Sequence, residues 1–247
     1  YLDFVDWQKQ NHSFSDLAFF NLRWNGNVES PGGMTETLKT TFTTANLFSL
    51  LGVRPMLGRD LTPEDDEPPP ARLNWNASPG KVMLISERLW KKSFGGDPNI
   101  IGRDIRLDGT PRTVVGVMPA GFRFPSQTDI WVPMASVFGM NRDRAFRSDQ
   151  AIARLKPGVS AESAQSEMSV IAERLAQQYP ETNKLIGAAR LPGADAAMGV
   201  RVNSGRHPDG HVHRLSASLH QLLQEAELEE VIHDDTPDAV LDGHERA

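Results

Sequence analysis

Apolar residues near the start of the chain fall at positions 2, 4, 5 and 7 and resume at 14, 17 and 18. Steps of three and four mark helices, so a helix is expected at the start and a second short helical turn after it, capped by Ser13 or Ser15. The pattern then changes. "ETLKTTF" (36–42) mixes threonine with apolar residues and reads as a strand. "TTANLFSLLGVRPMLGR" reads as a short helix that stops at Gly52, with Pro55 just beyond. "KVMLIS" (81–86) is an apolar run of strand length, and Ser86 stands where it caps a helix over "ERLWKKSF". The clearest strand–helix unit is "DQAIARLKPGVSAESAQSEMSVIAERLAQQYP". It predicts a strand over 151–155, a Lys-Pro-Gly turn, an N-cap at Ser160, and an apolar stripe through Ala161, Ala164, Met168, Ile171, Leu175 and Tyr179.

The glycine-dense stretch 94–125, "FGGDPNIIGRDIRLDGTPRTVVGVMPAGFRFP", raises the question of a phosphate-binding loop. A G-x-G-x-x-G fingerprint follows a strand and opens a helix, and neither glycine cluster does so. Gly95 and Gly96 instead end a helix. Ile105 and Leu107 alternate with Arg106 and Asp108, as in a strand with one buried face. Asp108-Gly109 is the dipeptide of tight hairpins, and "RTVVGVM" returns as a strand in which Gly116 marks a bulge or a close approach. The stretch reads as a hairpin scaffold.

Charge and composition narrow the classes. Residues 1–180 carry 20 Lys and Arg against 20 Asp and Glu, while residues 181–247 carry 6 against 12, so the whole net charge of -6 sits in the last quarter. A neutral body without a basic stripe gives no electrostatic basis for binding nucleic acid. The absence of cysteine removes disulfides, thiolate nucleophiles and cysteine-type zinc sites. No apolar run reaches the length of a membrane helix, and the first residue is Tyr1, as expected of an excised or processed segment. Residues 62–80, "TPEDDEPPPARLNWNASPG", read as a solvated loop whose acids lack calcium-loop spacing. The nucleophile elbow G-x-S-x-G is missing, and His12 is the only histidine in the first 206 residues.

The order of these signals resembles the MacB-like periplasmic core domain of ABC-transporter permeases of the macrolide-exporter and FtsX-like type. The resemblance is carried by "YLDFVDWQKQNHSFSDLAFF", "FTTANLFSLLGVRPMLGRDLTPEDD", "VMLISERLWKKSFGGDPNIIGRDIRLDGTPRTVVGVMPAGFRFP", "DIWVPM" and "ARLKPGVSAESAQSEMSVIAERLAQQYPETN". It covers residues 1 to about 183. It implies an α+β fold: a porter-like α/β part from about 1–60 and 150–190, and an inserted, mostly β part from about 81–135. It further implies a non-catalytic domain on the periplasmic side of the cytoplasmic membrane, inserted between the first two transmembrane helices of a permease. The implied partners are those helices, a separate ATPase domain, and a periplasmic adaptor or second permease copy. No catalytic residue, cofactor or nucleic acid is implied.

Residues 184–247 depart from that pattern as an acidic, histidine-rich tail holding six of the seven histidines. A frameshift or truncation and a genuine extension both account for it. Within "HPDGHVH", His207, His211 and His213 with Asp209 are candidate zinc ligands, against a solvent-exposed histidine-rich segment. "SASLHQLLQEAELEEVI" has the spacing of an amphipathic helix with an acidic polar face. Two alternative functions therefore stand beside the transporter reading: a soluble metal-binding protein using the tail, and a ligand-binding module with a cleft between the subdomains.

Overall fold

A computed structural model describes residues 2–21, 24–29, 33–67, 81–125, 127–134, 144, 149–183, 188–190 and 197–202. The first helix, α1 (Leu2–Gln10), forms as its spacing predicts and buries Phe4 and Trp7. The next segment does not. Residues at 14, 17 and 18 belong to a strand, β1 (Phe14–Asn21), and not to a helical turn. The run Leu17-Ala18-Phe19-Phe20 is buried on both faces, which erases the alternation that would have revealed it. Ser15 caps nothing: its hydroxyl donates to the carbonyl of Arg154 across the β1 pairing.

The remaining strands are β2 (Trp24–Glu29), β3 (Thr35–Thr43), β4 (Leu57–Gly58), β5 (Val82–Ser86), β6 (Asp104–Leu107), β7 (Thr110–Met118), β8 (Ile130–Pro133), β9 (Asp149–Leu155), β10 (Ala188–Arg190) and β11 (Ala197–Val202). The further helices are α2 (Leu47–Leu51), α3 (Glu87–Phe94), α4 (Ala161–Gln178) and α5 (Pro180–Asn183). The caps fall where the residues ask for them. Ser86 Oγ accepts from Leu89 N at 3.1 Å and Ser160 Oγ from Ser163 N at 3.1 Å, each satisfying an amide that a helix N-terminus leaves unpaired. Asp108 and Gly109 take φ of 51° and 74°, the conformation a two-residue hairpin demands.

The strands form one sheet in two parts. β3, β2, β6, β7, β5 and β8 pair in succession, and β8 pairs back onto β3 in parallel, which closes a six-strand ring. β1, β9, β11 and β10 make an antiparallel wing. Side chains alternate between two cores. Met83, Ile85, Ile130 and Val132 join one cluster with Phe4, Trp7, Leu17, Phe19 and the α4 residues Ala164, Met168, Ile171 and Leu175. Leu84, Trp131, Ala18, Phe20 and Ile152 join the other, with Leu47, Phe48 and Leu50 of α2.

Gly116 works as both readings of it required. The pairing of β5 with β7 slips between Met83 and Leu84, so Val115 is the extra residue of a bulge. The slip turns Val117 into the first core and Met118 into the second; unbroken alternation would have set Val114 and Met118 on one face. β4 lies against the same spot, pairing Gly58 with Gly116. A Cβ on Gly116 would stand 2.5 Å from the carbonyl oxygen of Arg59 and 2.7 Å from Leu84 Cδ2.

Two substitutions test this packing by urea unfolding. Gly116→Ala pushes β4 off β7 and is expected to cost about 1–3 kcal/mol, the usual range for overpacking. Met168→Ala, at a fully buried position of the α4 stripe, is expected to cost about 2–5 kcal/mol through the cavity it leaves.

Candidate functional site

Three polar constellations stand out among the described residues. The most buried lies where α1 meets the end of α4. Asp3 and Asp6 sit one turn apart on α1 and therefore share a face. Arg144, in the connection between β8 and β9, donates from Nη1 to Asp3 Oδ1 at 2.5 Å and from Nη2 to Asp6 Oδ2 at 2.7 Å. Its guanidinium carbon lies 3.7 Å from the centroid of the Tyr179 ring, and Asn183 Nδ2 donates to Asp3 Oδ1 at 2.9 Å. Burial drags the Arg144 guanidinium toward lower pKa, but the hydrogen bonds and charges of Asp6 and Asp3 outweigh it and raise it above the ordinary arginine value. The planar guanidinium does what lysine could not: it forks across two carboxylates while stacking on an aromatic face.

Past the other end of α1, Glu167 of α4 holds the α1–β1 turn. Its two oxygens accept from the amides of His12 at 2.7 Å and Ser13 at 2.9 Å. Burial pushes the Glu167 carboxyl up, the hydrogen bonds from Ser13 and His12 pull it down further, and the net position is below the usual glutamate range.

The second constellation centres on Asp129, just before β8. Asp129 Oδ1 accepts from Ser86 Oγ at 3.0 Å, Arg88 Nε at 3.1 Å and Arg123 Nη2 at 3.4 Å, while Oδ2 accepts from Arg88 Nη2 at 2.5 Å. It ties the start of α3 to β8. The third is a recess of about 460 Å³ between α2 and β4, lined by Ser49, Gly52, Val53, Arg54, Pro55, Gly58, Arg59 and Asp60. Arg59 there is engaged by Asp65, whose carboxylate also takes the Thr62 amide and so closes the 63–66 turn. Two acids of the 62–80 segment thus serve the fold, Asp65 as described and Asp66, whose Oδ2 accepts from the Ala45 amide.

His207, His211 and His213, like the amphipathic stretch after them, lie outside the described residues. Among the described residues no group of three or more His, Cys, Asp or Glu side chains could hold a metal ion, and no helix is long and apolar enough to cross a membrane. Reading the sequence missed the Arg144 and Asp129 nodes. The only local signals are the two acids one helical turn apart in α1 and the lone Asp before an apolar strand. Neither identifies its arginine.

Two measurements follow. Arg144→Met leaves Asp3 buried without its counter-charge and is expected to cost about 3–5 kcal/mol in denaturant unfolding. The double variant Arg144→Met with Asp3→Leu is expected to recover part of that loss, which a simple packing defect would not. Glu167 contributes stability that is complete above its unfolded pKa of about 4.3 and is lost as pH falls through its lower folded value. The melting temperature of Glu167→Gln is therefore expected below that of the natural chain at neutral pH, with the gap narrowing toward pH 3.

The chain was compared with known proteins. The sequence profile of the MacB-like periplasmic core domain matches residues 10–171. No curated protein matches the chain significantly. Among solved structures, the extracellular domain of the noncanonic ABC-type transporter YknZ from Gram-positive bacteria superposes with a TM-score of 0.55 at 15% identity, covering 82% of this chain and 87% of that one. The periplasmic region of MacB from Actinobacillus actinomycetemcomitans superposes with a TM-score of 0.53 at 15% identity, covering 73% and 75%.

Proposed function

This chain belongs to the MacB-like periplasmic core domain family of ABC transporter permeases, and from that premise we propose that it is a non-catalytic coupling domain, standing on the outer side of the cytoplasmic membrane. ATP hydrolysis belongs to a separate partner, and the domain passes the resulting motion to substrate, to an adaptor or to a second permease copy. The porter-like part comprises about 1–60 and 150–190. The inserted part comprises about 81–135, its ring completed by β2 and β3 of the porter-like part.

One observation carries the proposal. Arg144 gathers α1, the β8–β9 connection and the α4–α5 end into a single buried node. In a domain inserted after a membrane helix, α1 is the first of these segments along the chain. A buried, forked ion pair with an aromatic floor resists shear better than apolar contact alone, because its hydrogen bonds have direction. A displacement entering through α1 would then be passed to the β8–β9 connection and the end of α4 together.

The test has two arms. The DNA flanking this coding segment is expected to encode apolar stretches of about twenty residues on both sides, in this or another frame, and an ATPase nearby. Flanks without such a stretch in any frame overturn the reading. Because residues 1–247 hold no cysteine, Met56→Cys in the whole permease, with any cysteine elsewhere in it replaced by serine, reports sidedness. A membrane-impermeant maleimide is expected to label it without disruption of the inner membrane; labelling only after disruption contradicts the external placement.

A further inference from the structure

The wing and the ring share both hydrophobic cores, but their backbones join along a narrow seam. Ladders on either side are long: β1 pairs with β9 over seven residues and β2 with β3 over six. Between the wing and the ring, the described residues share one Cα pairing, Phe20 with Thr43. The register also slips there by one residue, since β2 meets β3 at Trp24 and Thr40. β1 and β2 thus lie one after the other along the same edge of β3.

At the seam, hydroxyls stand in for the ladder. The Phe19 amide donates to Thr44 Oγ1 at 3.0 Å, and the Phe19 carbonyl accepts from Thr44 N at 2.9 Å and from Thr43 Oγ1 at 3.2 Å. Thr43 and Thr44 are both buried. A strand ladder fixes direction because each bond is one of a row. A hydroxyl on a rotatable side chain keeps a buried peptide satisfied through a change of angle, so the seam can bend without exposing an unpaired group.

A strap crosses the same seam. α2 packs against the wing and is held there by Arg154, which donates to the Leu50 carbonyl. Six residues later Met56 donates to the Val117 carbonyl at 2.8 Å, on the ring. The strap itself walls the recess, through Ser49, Val53, Pro55 and Gly58.

We propose that the molecule has a built-in hinge at Phe19–Phe20 and Thr43–Thr44, about which the wing, with α1 and α4, swings relative to the six-strand ring. The α2–β4 strap limits the swing, and the edge-to-face contact of Phe20 with Phe124 (centroids 5.1 Å apart) is a contact that the swing must slide. The hinge stands on the seam's geometry and does not depend on the transport reading. If both hold, motion entering at the Arg144 node on the wing reaches the ring as a rotation.

The absence of cysteine from residues 1–247 allows a direct test by spin-label distances on this chain. One label goes on α4 (Val170→Cys) and one on the ring (Arg103→Cys), with a within-ring control pair at Lys92→Cys and Arg103→Cys. The hinge predicts a broadened or two-peaked wing-to-ring distance beside a single narrow control distance. Thr44→Val is expected to shift or widen the wing-to-ring distance alone, and Thr44→Ser, which keeps the hydroxyl, to restore it. Equal widths for both pairs in the natural background overturn the proposal, whether or not Thr44→Val folds. So does widening of both pairs together in Thr44→Val.

Discussion

The structure depends on the two edges of β3. A strand offers one row of donors and acceptors on each side, and when buried both rows must be filled. β2 and the end of β1 fill one edge, and β8 fills the other in parallel. That parallel pairing turns an open sheet into a ring, and it needs the long path through β4–β7 because parallel neighbours cannot be joined by a tight turn. The ring's inner positions then close over Val28, Leu38, Ile105 and Leu107. The wing exists because β1 leaves β3 and takes β9 as its partner.

Two buried polar nodes join elements that hydrophobic packing alone would not orient. Asp129 draws α3 and the 119–128 loop onto the start of β8, with Arg88 and Arg123 from different segments. Arg144 does the same for α1 and the end of α4. Such pairs are weak sources of net stability, since desolvation offsets much of the attraction, but removing one partner is costly. Their consequence is geometric. They fix which surfaces meet.

Much of this was legible one segment at a time. The Ser86 and Ser160 caps, the Asp108-Gly109 turn and the α4 stripe each depend on residues within a few positions of one another. The failure at 14–18 has the same cause turned round: a strand buried on both faces has no local period, and only its pairing with β9 declares it. The site was less legible still. Arg144 meets Asp3 across 141 residues and Asn183 meets Asp3 across 180, and nothing local distinguishes Arg144 from Arg142 or Arg147 in the same segment.

By itself, then, the sequence determined helices α1 to α4, the Asp108-Gly109 turn, the caps at Ser86 and Ser160, the bulge signal at Gly116 and the ordered blocks that mark the family, because each is set by local sterics or by the order of short patterns. The closure of the ring, the one-pairing seam at Phe20 and Thr43, and the choice of Arg144 as the partner of two aspartates were decided only in three dimensions. Each is a contest among many chemically equivalent edges and charges, and it is settled by which of them the packed core brings within hydrogen-bonding distance.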